Sequence, residues 1–265
     1  MRRPSAKWLW LVPPILVGLA YLDRLDSAPG DWRTASRAPV GLAPDPVTTL
    51  EPVVQVYAAR AVRWRGYFGV HTWIAVKARG APEFTVYEVN GWRLRRSGSA
   101  VTISNRSPDS RWFGSRPDLI AERRGAGVDA LIARVEQAVA AYPYADTYRV
   151  WPGPNSNTFV AYVLRAAPEL RADLPATAIG KDYLGSELVA ASPSGTGFQF
   201  NFFGLLGALA GVEEGIEINL LGLTFGIDPL DVSLKLPLAG RVGWSRSARA
   251  SERGQAAQPA SGESP

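Results

Sequence analysis

Apolar residues recur along this chain with two periods, and the switches between them divide it into segments. Residues 8–22 are an uncharged apolar run, preceded by Arg2, Arg3 and Lys7 and closed by Asp23 and Arg24. A basic start, an apolar middle and a polar end make residues 1–24 a targeting segment. Fifteen residues fall short of the roughly 20 that cross a bilayer. An uncleaved signal-anchor with its basic end in the cytoplasm is the favoured reading, and a signal peptide cut near Ser27-Ala28 is the alternative. Residues 25–50, rich in Pro, Ala, Asp and Arg, follow neither period and predict a linker.

Beyond residue 50 the pattern becomes that of a folded domain, set at residues 51–190. Residues 53–57 predict a strand, and 59–68, dense in Arg and Trp, a loop between strands. Residues 71–77 and 84–90 alternate and are joined by six residues, which predicts an antiparallel hairpin. Pairing Lys77 with Phe84 sets His71 opposite Asn90 and Trp73 opposite Glu88. Residues 100–103 predict a third strand. Val128, Leu131, Ile132, Val135, Ala138 and Val139 recur at spacings of three and four, so 127–141 reads as a core-packing helix. Residues 148–151 predict a short strand, and a second helix runs from about 155 to the stop at Pro168.

Residues 191–240 change character to glycine-rich alternation, predicting a β appendage with two long strands, 215–225 and 230–238, joined by 226–229. Residues 202–210 allow a second reading, a short dip into a bilayer. Residues 241–265 read as a disordered tail. The sum is an α+β fold, a small antiparallel sheet packed with two or three helices and carrying a β appendage.

Composition narrows the chemistry. With no Cys and one His, thiolate sites, disulfides and a Cys nucleophile are gone, and no metal site is expected. No phosphate-binding Gly-Lys-Ser/Thr loop or Gly-x-Gly-x-x-Gly turn occurs, so no cofactor is expected either. The net charge of +5 is spread among arginines rather than gathered in a run, which fits a surface facing anionic lipid or cell wall and not nucleic acid.

Chemistry concentrates at Trp151-Pro152-Gly153-Pro154-Asn155-Ser156-Asn157, a rigid turn opening an apolar helix. Asn155, Ser156 and Asn157 all suit a helix cap. A hydroxyl at that place also sits beside aligned N–H groups that favour an oxyanion, so Ser156 is equally a candidate nucleophile. His71 is its candidate base, or else a hydrogen-bonded core histidine, and Asn90 or Glu88 would orient the ring. Trp73, Trp151, Asn155, Asn157, Lys181 and Asp182 are the candidate substrate-binding residues.

Asn155-Ser156-Asn157-Thr158-Phe159-Val160 resembles the Asn-Cys-x-x-Phe-Val opening of the nucleophile helix in permuted papain-like (NlpC-type) enzymes, including the lecithin retinol acyltransferase relatives. Ser156 stands where their cysteine stands, and His71 on its upstream strand matches the place of their histidine. The resemblance implies an acyl-transfer site. Replacing the thiol by an alcohol makes a general base indispensable. Over residues 57–184 the chain also resembles a bacterial family catalogued as domain of unknown function 3750. That resemblance rests on the stretches 63–73, 87–92 and 178–184 and on the Trp151 turn.

These readings together imply an envelope protein at the inner membrane with its domain on the periplasmic side, or a periplasmic one after signal cleavage. It would be a serine hydrolase or acyltransferase acting on cell-wall peptide amides or lipid acyl groups. Two alternatives stand beside it, a silent binding module of the same fold and a structural envelope protein.

Overall fold

Five strands of the first sheet, β1 (Val53–Arg60), β2 (Val70–Lys77), β3 (Thr85–Val89), β4 (Val101–Asn105) and β5 (Asp118–Arg124), lie antiparallel in the order β4-β3-β2-β1-β5. The computed structural model describes residues 33–243. The signal-anchor and the tail beyond residue 243 lie outside them. No helix among the described residues is long and apolar enough to cross a membrane.

β2 pairs with β3 through Ile74 and Tyr87, Ala75 and Val86, and Val76 and Thr85, the register expected from the sequence. Alternation then sorts the side chains. Val54, Val56, Ile74, Val76, Tyr87 and Val89 face the helix α2 (Val128–Ala140) and the helix α3 (Ser156–Ala166). Tyr57, Trp73, Ala75, Phe84 and Val86 take the other face, packed with Trp112 and Phe113. That second face is covered by the stretch expected to be a linker. Pro39 bridges Ser110, and the N–H groups of Val40, Leu42 and Ala43 donate to Asp109 Oδ2 at 3.2, 2.7 and 3.3 Å. A segment without an apolar period is held here by one carboxylate that satisfies three backbone donors.

Two elements escaped the sequence pattern. α1 (Gly91–Ser97) carries only Trp92 and Leu94 as apolar side chains, too few for a helical period, and β5 is dominated by charge. The strand expected at 148–151 does not form, because Arg149 N–H closes locally onto Pro154 O at 2.8 Å instead of meeting a partner strand.

The C-terminal region is a seven-stranded meander in which each strand neighbours the next. Its strands are β6 (Val189–Ala191), β7 (Gly197–Phe202), β8 (Leu206–Gly211), β9 (Gly215–Leu220), β10 (Leu223–Asp228), β11 (Ser233–Leu236) and β12 (Gly240–Gly243). The long strand expected over 215–225 is therefore two. Leu221 and Gly222 turn between them at φ of 54° and 81°, the left-handed geometry of a two-residue hairpin turn. Arg241, expected in the tail, belongs to β12.

This second sheet is packed with its polar side inward. Gln199, Asn201, Glu217, Asn219, Thr224 and Lys235 are buried, while Phe198, Phe200, Ile216, Ile218, Phe225 and Leu234 between them are exposed. The inward charges are paired. Lys181 meets Asp182 at 3.4 Å and also Glu217; Lys235 meets Glu217 at 2.6 Å and Asp173 at 2.7 Å. Arg241 joins Asp173, and reaches Asp228 at 3.0 Å and Asp231 at 2.9 Å. Burial alone would raise Glu217, but the two ammonium groups hold it below the usual carboxylate range. Asp173, where burial outweighs Lys235, is raised to about 6. Removing one member of a buried set strands the others. Glu217→Gln is expected to destabilise the protein by about 3 kcal/mol or more, read as a shift of the urea midpoint.

Candidate active site

The turn before α3 is built from Trp151-Pro152 and Gly153-Pro154, both with cis peptide bonds. Gly153 sits at φ of 136°, and a Cβ there would lie 2.9 Å from Thr158 Oγ1 and from Tyr183 Cβ, so only glycine fits. Asn155 then caps the helix. Its Oδ1 accepts the N–H groups of Asn157 and Thr158 at 2.9 and 3.2 Å, and Thr158 Oγ1 accepts Asn155 N–H at 3.1 Å, closing a capping box.

The two asparagines flanking Ser156 are fully used by the fold. Asn155 Nδ2 donates to Val150 O and Ile179 O at 3.0 and 2.9 Å. Asn157 Nδ2 donates to Val70 O and Ile179 O at 3.1 and 2.8 Å, and its Oδ1 accepts from Thr72 Oγ1 at 3.0 Å. Both line the cavity described below, but as pins that hold its floor. Ser156 differs, since its hydroxyl has no hydrogen bond among the described residues. Its N–H is also the one amide of the first turn that no acceptor takes. The row of helix N–H donors expected for an oxyanion is thus reduced to one, because the cap consumes the next two.

His71 Nε2 lies 3.0 Å from Glu88 Oε2, and the ring stacks on Trp112 at a centroid distance of 3.7 Å. Asn90 is the residue opposite His71 in register, yet the longer Glu88 on the diagonal reaches the ring. Asn90 Oδ1 remains buried without a partner. Burial lowers the His71 pKa below its ordinary value, with Glu88 offsetting only part of that. Burial would raise Glu88, but the His71 hydrogen bond and the Arg106 guanidinium at 3.6 Å outweigh it and keep the carboxyl below its usual range. The consistent state at neutral pH is a neutral imidazole donating from Nε2 to a carboxylate, which leaves the lone pair on Nδ1.

His71 shares its sheet face with Trp73, away from α3. Thr72, on the helix side, donates to Ser156 O at 3.2 Å. Ser156 and His71 come together where β2 begins and β3 ends, in the lining of one cavity of about 670 Å³, and no hydrogen bond joins them. Trp64, Phe68, Val70, Trp92, Trp112, Trp151 and Ile179 supply most of the wall, with Arg65, Arg95 and Asn90. Among the described residues no carboxylate lines it.

Three expected substrate contacts are placed elsewhere. Trp73 is fully buried against Tyr57, with its Nε1–H donating to Pro108 O at 2.8 Å. Lys181 and Asp182 are buried under the second sheet, where Asn219 Nδ2 donates to Asp182 Oδ2 at 2.8 Å. Their loop follows α3 in sequence, but its charges answer those of the sheet. Trp151 stands half-exposed on the rim, donating Nε1–H to Leu221 O at 2.9 Å. Trp64, Arg65, Trp92, Arg95 and Trp112 are wall residues that the sequence reading did not single out. The signal for the first two was the density of Arg and Trp in 63–67, which ends up as a 3₁₀ turn facing the cavity.

A family model described as "Protein of unknown function (DUF3750)" matches residues 51–183. This chain belongs to the DUF3750 family. Every wall residue of the cavity, from Ala61 to Ile179, lies within the DUF3750 match, whereas all seven strands of the second sheet fall outside it. No curated protein and no solved structure matches the chain.

His71 gives this site a pH signature. A histidine whose folded pKa is depressed makes the unfolded state the better proton binder, so stability falls as pH drops below the ordinary value of 6.5. His71→Gln, which can still donate to Glu88, is expected to lose less stability than the wild type as pH falls below 6.5. Urea unfolding of both proteins across that range checks it.

Proposed function

We propose that the cavity is the site of an acyl transfer in which Ser156 is the nucleophile, His71 the general base and Glu88 the group that fixes the imidazole. The observation carrying this reading is which polar groups remain unspent. The cap uses up Asn155 and Asn157 and leaves the Ser156 hydroxyl, and Glu88 occupies one nitrogen of His71 and leaves the other, within one cavity. Nδ1 would take the hydroxyl proton as Oγ attacks the acyl carbon. Ser156 N–H would donate to the oxyanion, and the protonated ring would return its proton to the leaving group. Water or an acceptor alcohol then releases the acyl-enzyme. Aromatic walls with Arg65 and Arg95 suit an acyl chain bearing an anionic head better than a polar peptide. The likeness to permuted papain-like enzymes points the same way, with an alcohol in place of the thiol. An exported, membrane-anchored protein would meet such a lipid at the inner membrane.

A second reading is a binding module of the same fold, silent in catalysis. It is favoured by the missing hydrogen bond between Ser156 and His71 and by the sheet face that His71 occupies. Fluorophosphonate labelling separates the two. The catalytic reading expects labelling of the wild type, loss in Ser156→Ala, and a decrease of roughly 10²-fold or more in His71→Gln. A wild type that does not label while retaining an acyl ligand in its cavity selects the binding module.

A further inference from the structure

Strands β7 to β11 carry no charged side chain outward, and Phe198, Phe200, Ile216, Ile218, Phe225 and Leu234 on that face are each 45–74% exposed. The turns at both ends of the sheet are apolar outward. Phe202, Phe203, Leu220 and Leu221 are exposed at one end and Val212, Leu230 and Val232 at the other, where Glu214, Asp228 and Asp231 are buried. A contiguous apolar surface of this extent on a sheet whose opposite side is charged marks a contact surface. We infer that the outer face of this sheet and its apolar turns dock into one leaflet of a lipid bilayer.

Dimensions support that occupant. Strands of six residues, as in β7 to β10, span roughly 20 Å, short of the 9–11 residues of a membrane-crossing strand but ample for a leaflet about 15 Å deep. The sheet is seven strands wide, roughly 29 Å across. The chain's own apolar run, residues 8–22, would as a helix be about 10 Å wide and would leave most of the face bare. A second copy packed face to face would cover the strands and leave the apolar turns in water, whereas a leaflet takes face and turns together. The charge of the chain, +5, suits an anionic membrane. One of these apolar turns also adjoins the cavity, since Leu221 accepts the Trp151 hydrogen bond, and exposed Trp151, Trp64 and Trp92 are of the kind that settles at a lipid–water boundary. The docking surface is independent of the acyl-transfer reading, so either can fail alone.

The chain has no cysteine, so Ile218→Cys, Phe225→Cys and, as an exposed control on α2, Asp129→Cys can each carry one environment-sensitive fluorophore on the full chain. On vesicles of phosphatidylcholine and phosphatidylglycerol, the probes at 218 and 225 should shift to the blue and lose emission to acyl-chain spin-labelled lipid, and the probe at 129 should do neither. Three results overturn the inference. Probes at 218 and 225 could report water while the chain is vesicle-bound. They could be shielded without lipid in a sedimenting dimer, which makes a second copy the occupant. They could be shielded without lipid in a monomer, which makes residues 8–22 the occupant.

Discussion

The buried chain of opposite charges from Asp182 through Lys181, Glu217, Lys235 and Asp173 to Arg241 decides how the C-terminal sheet sits on the rest of the protein. A strand offers two faces, and committing one commits the other. Turning the sheet over would place Phe200, Ile218 and Phe225 against Lys181, Asp182 and Asp173, strip those charges of partners, and expose Glu217 and Lys235 to no benefit. Stranded buried charges cost several kcal/mol each, more than the roughly 1.5–3 kcal/mol forgone by one large apolar side chain left outside. Electrostatic pairing therefore orients this sheet against the direction that hydrophobic burial alone would choose. Arg165 of α3 extends the same logic, held by Gln199 at 2.6 Å and Ala191 O at 2.9 Å in a site whose burial lowers its pKa to about 10.

A comparable economy governs the turn before α3. The Asn155 side chain and the Asn157 amide nitrogen are drawn to backbone groups from four separate places, Val70, Val150, Ile179 and the helix's own first turn, and Asn157 Oδ1 takes the Thr72 hydroxyl. Such convergence fixes the start of α3 against β2, and with it the spacing of Ser156 from the end of the strand that carries His71. Gly180 belongs to this arrangement. It sits at φ of 93° directly against the Asn155 amide, where a Cβ would collide, and its carbonyl accepts Thr158 Oγ1 at 2.7 Å. The neutral histidine follows from the same crowding, because Trp112 stacks on the face of the ring and Trp73 lies 5.9 Å away, so the ring is buried.

How much of this was legible depended on how local the signal was. The β2–β3 register followed from a six-residue connection, and α2 from its six apolar positions, since each is encoded within one short stretch. The helix start after Pro154 was legible because proline and asparagine act on their own neighbours. Lys181 and Asp182 were misassigned for the opposite reason: their partners Glu217 and Asn219 lie far along the chain, and nothing near them announces burial. Trp73 failed likewise, its parity on β2 being readable but not that residues 33–45 and Trp112 would close over that face. The alternation of the C-terminal strands was plain, yet alternation is symmetric, and which side meets the protein is settled by charges elsewhere. α1 hid behind three arginines and a single heptad's worth of residues.

The cavity and the sheet are mechanically one object, although the family match spans only the first. Trp151, on the rim, is held by Leu221, and Gly222 lies so close that a Cβ there would be 2.8 Å from Trp151 Nε1. Gly204, in the β7–β8 turn, leaves room for Pro152, with Pro152 Cβ 3.1 Å from where its own Cβ would be. Two hairpin turns of the sheet thus buttress the outer wall of a cavity lined by β2, α1 and the start of α3. Whatever surface fixes the sheet also fixes the opening beside Trp151, and on the proposed reading the apolar turns that touch the rim are those an acyl chain would pass. If the cavity is the acyl site and the sheet the lipid contact proposed above, the inverted packing and the aromatic wall would answer one requirement, keeping an apolar ligand out of water between its source and Ser156.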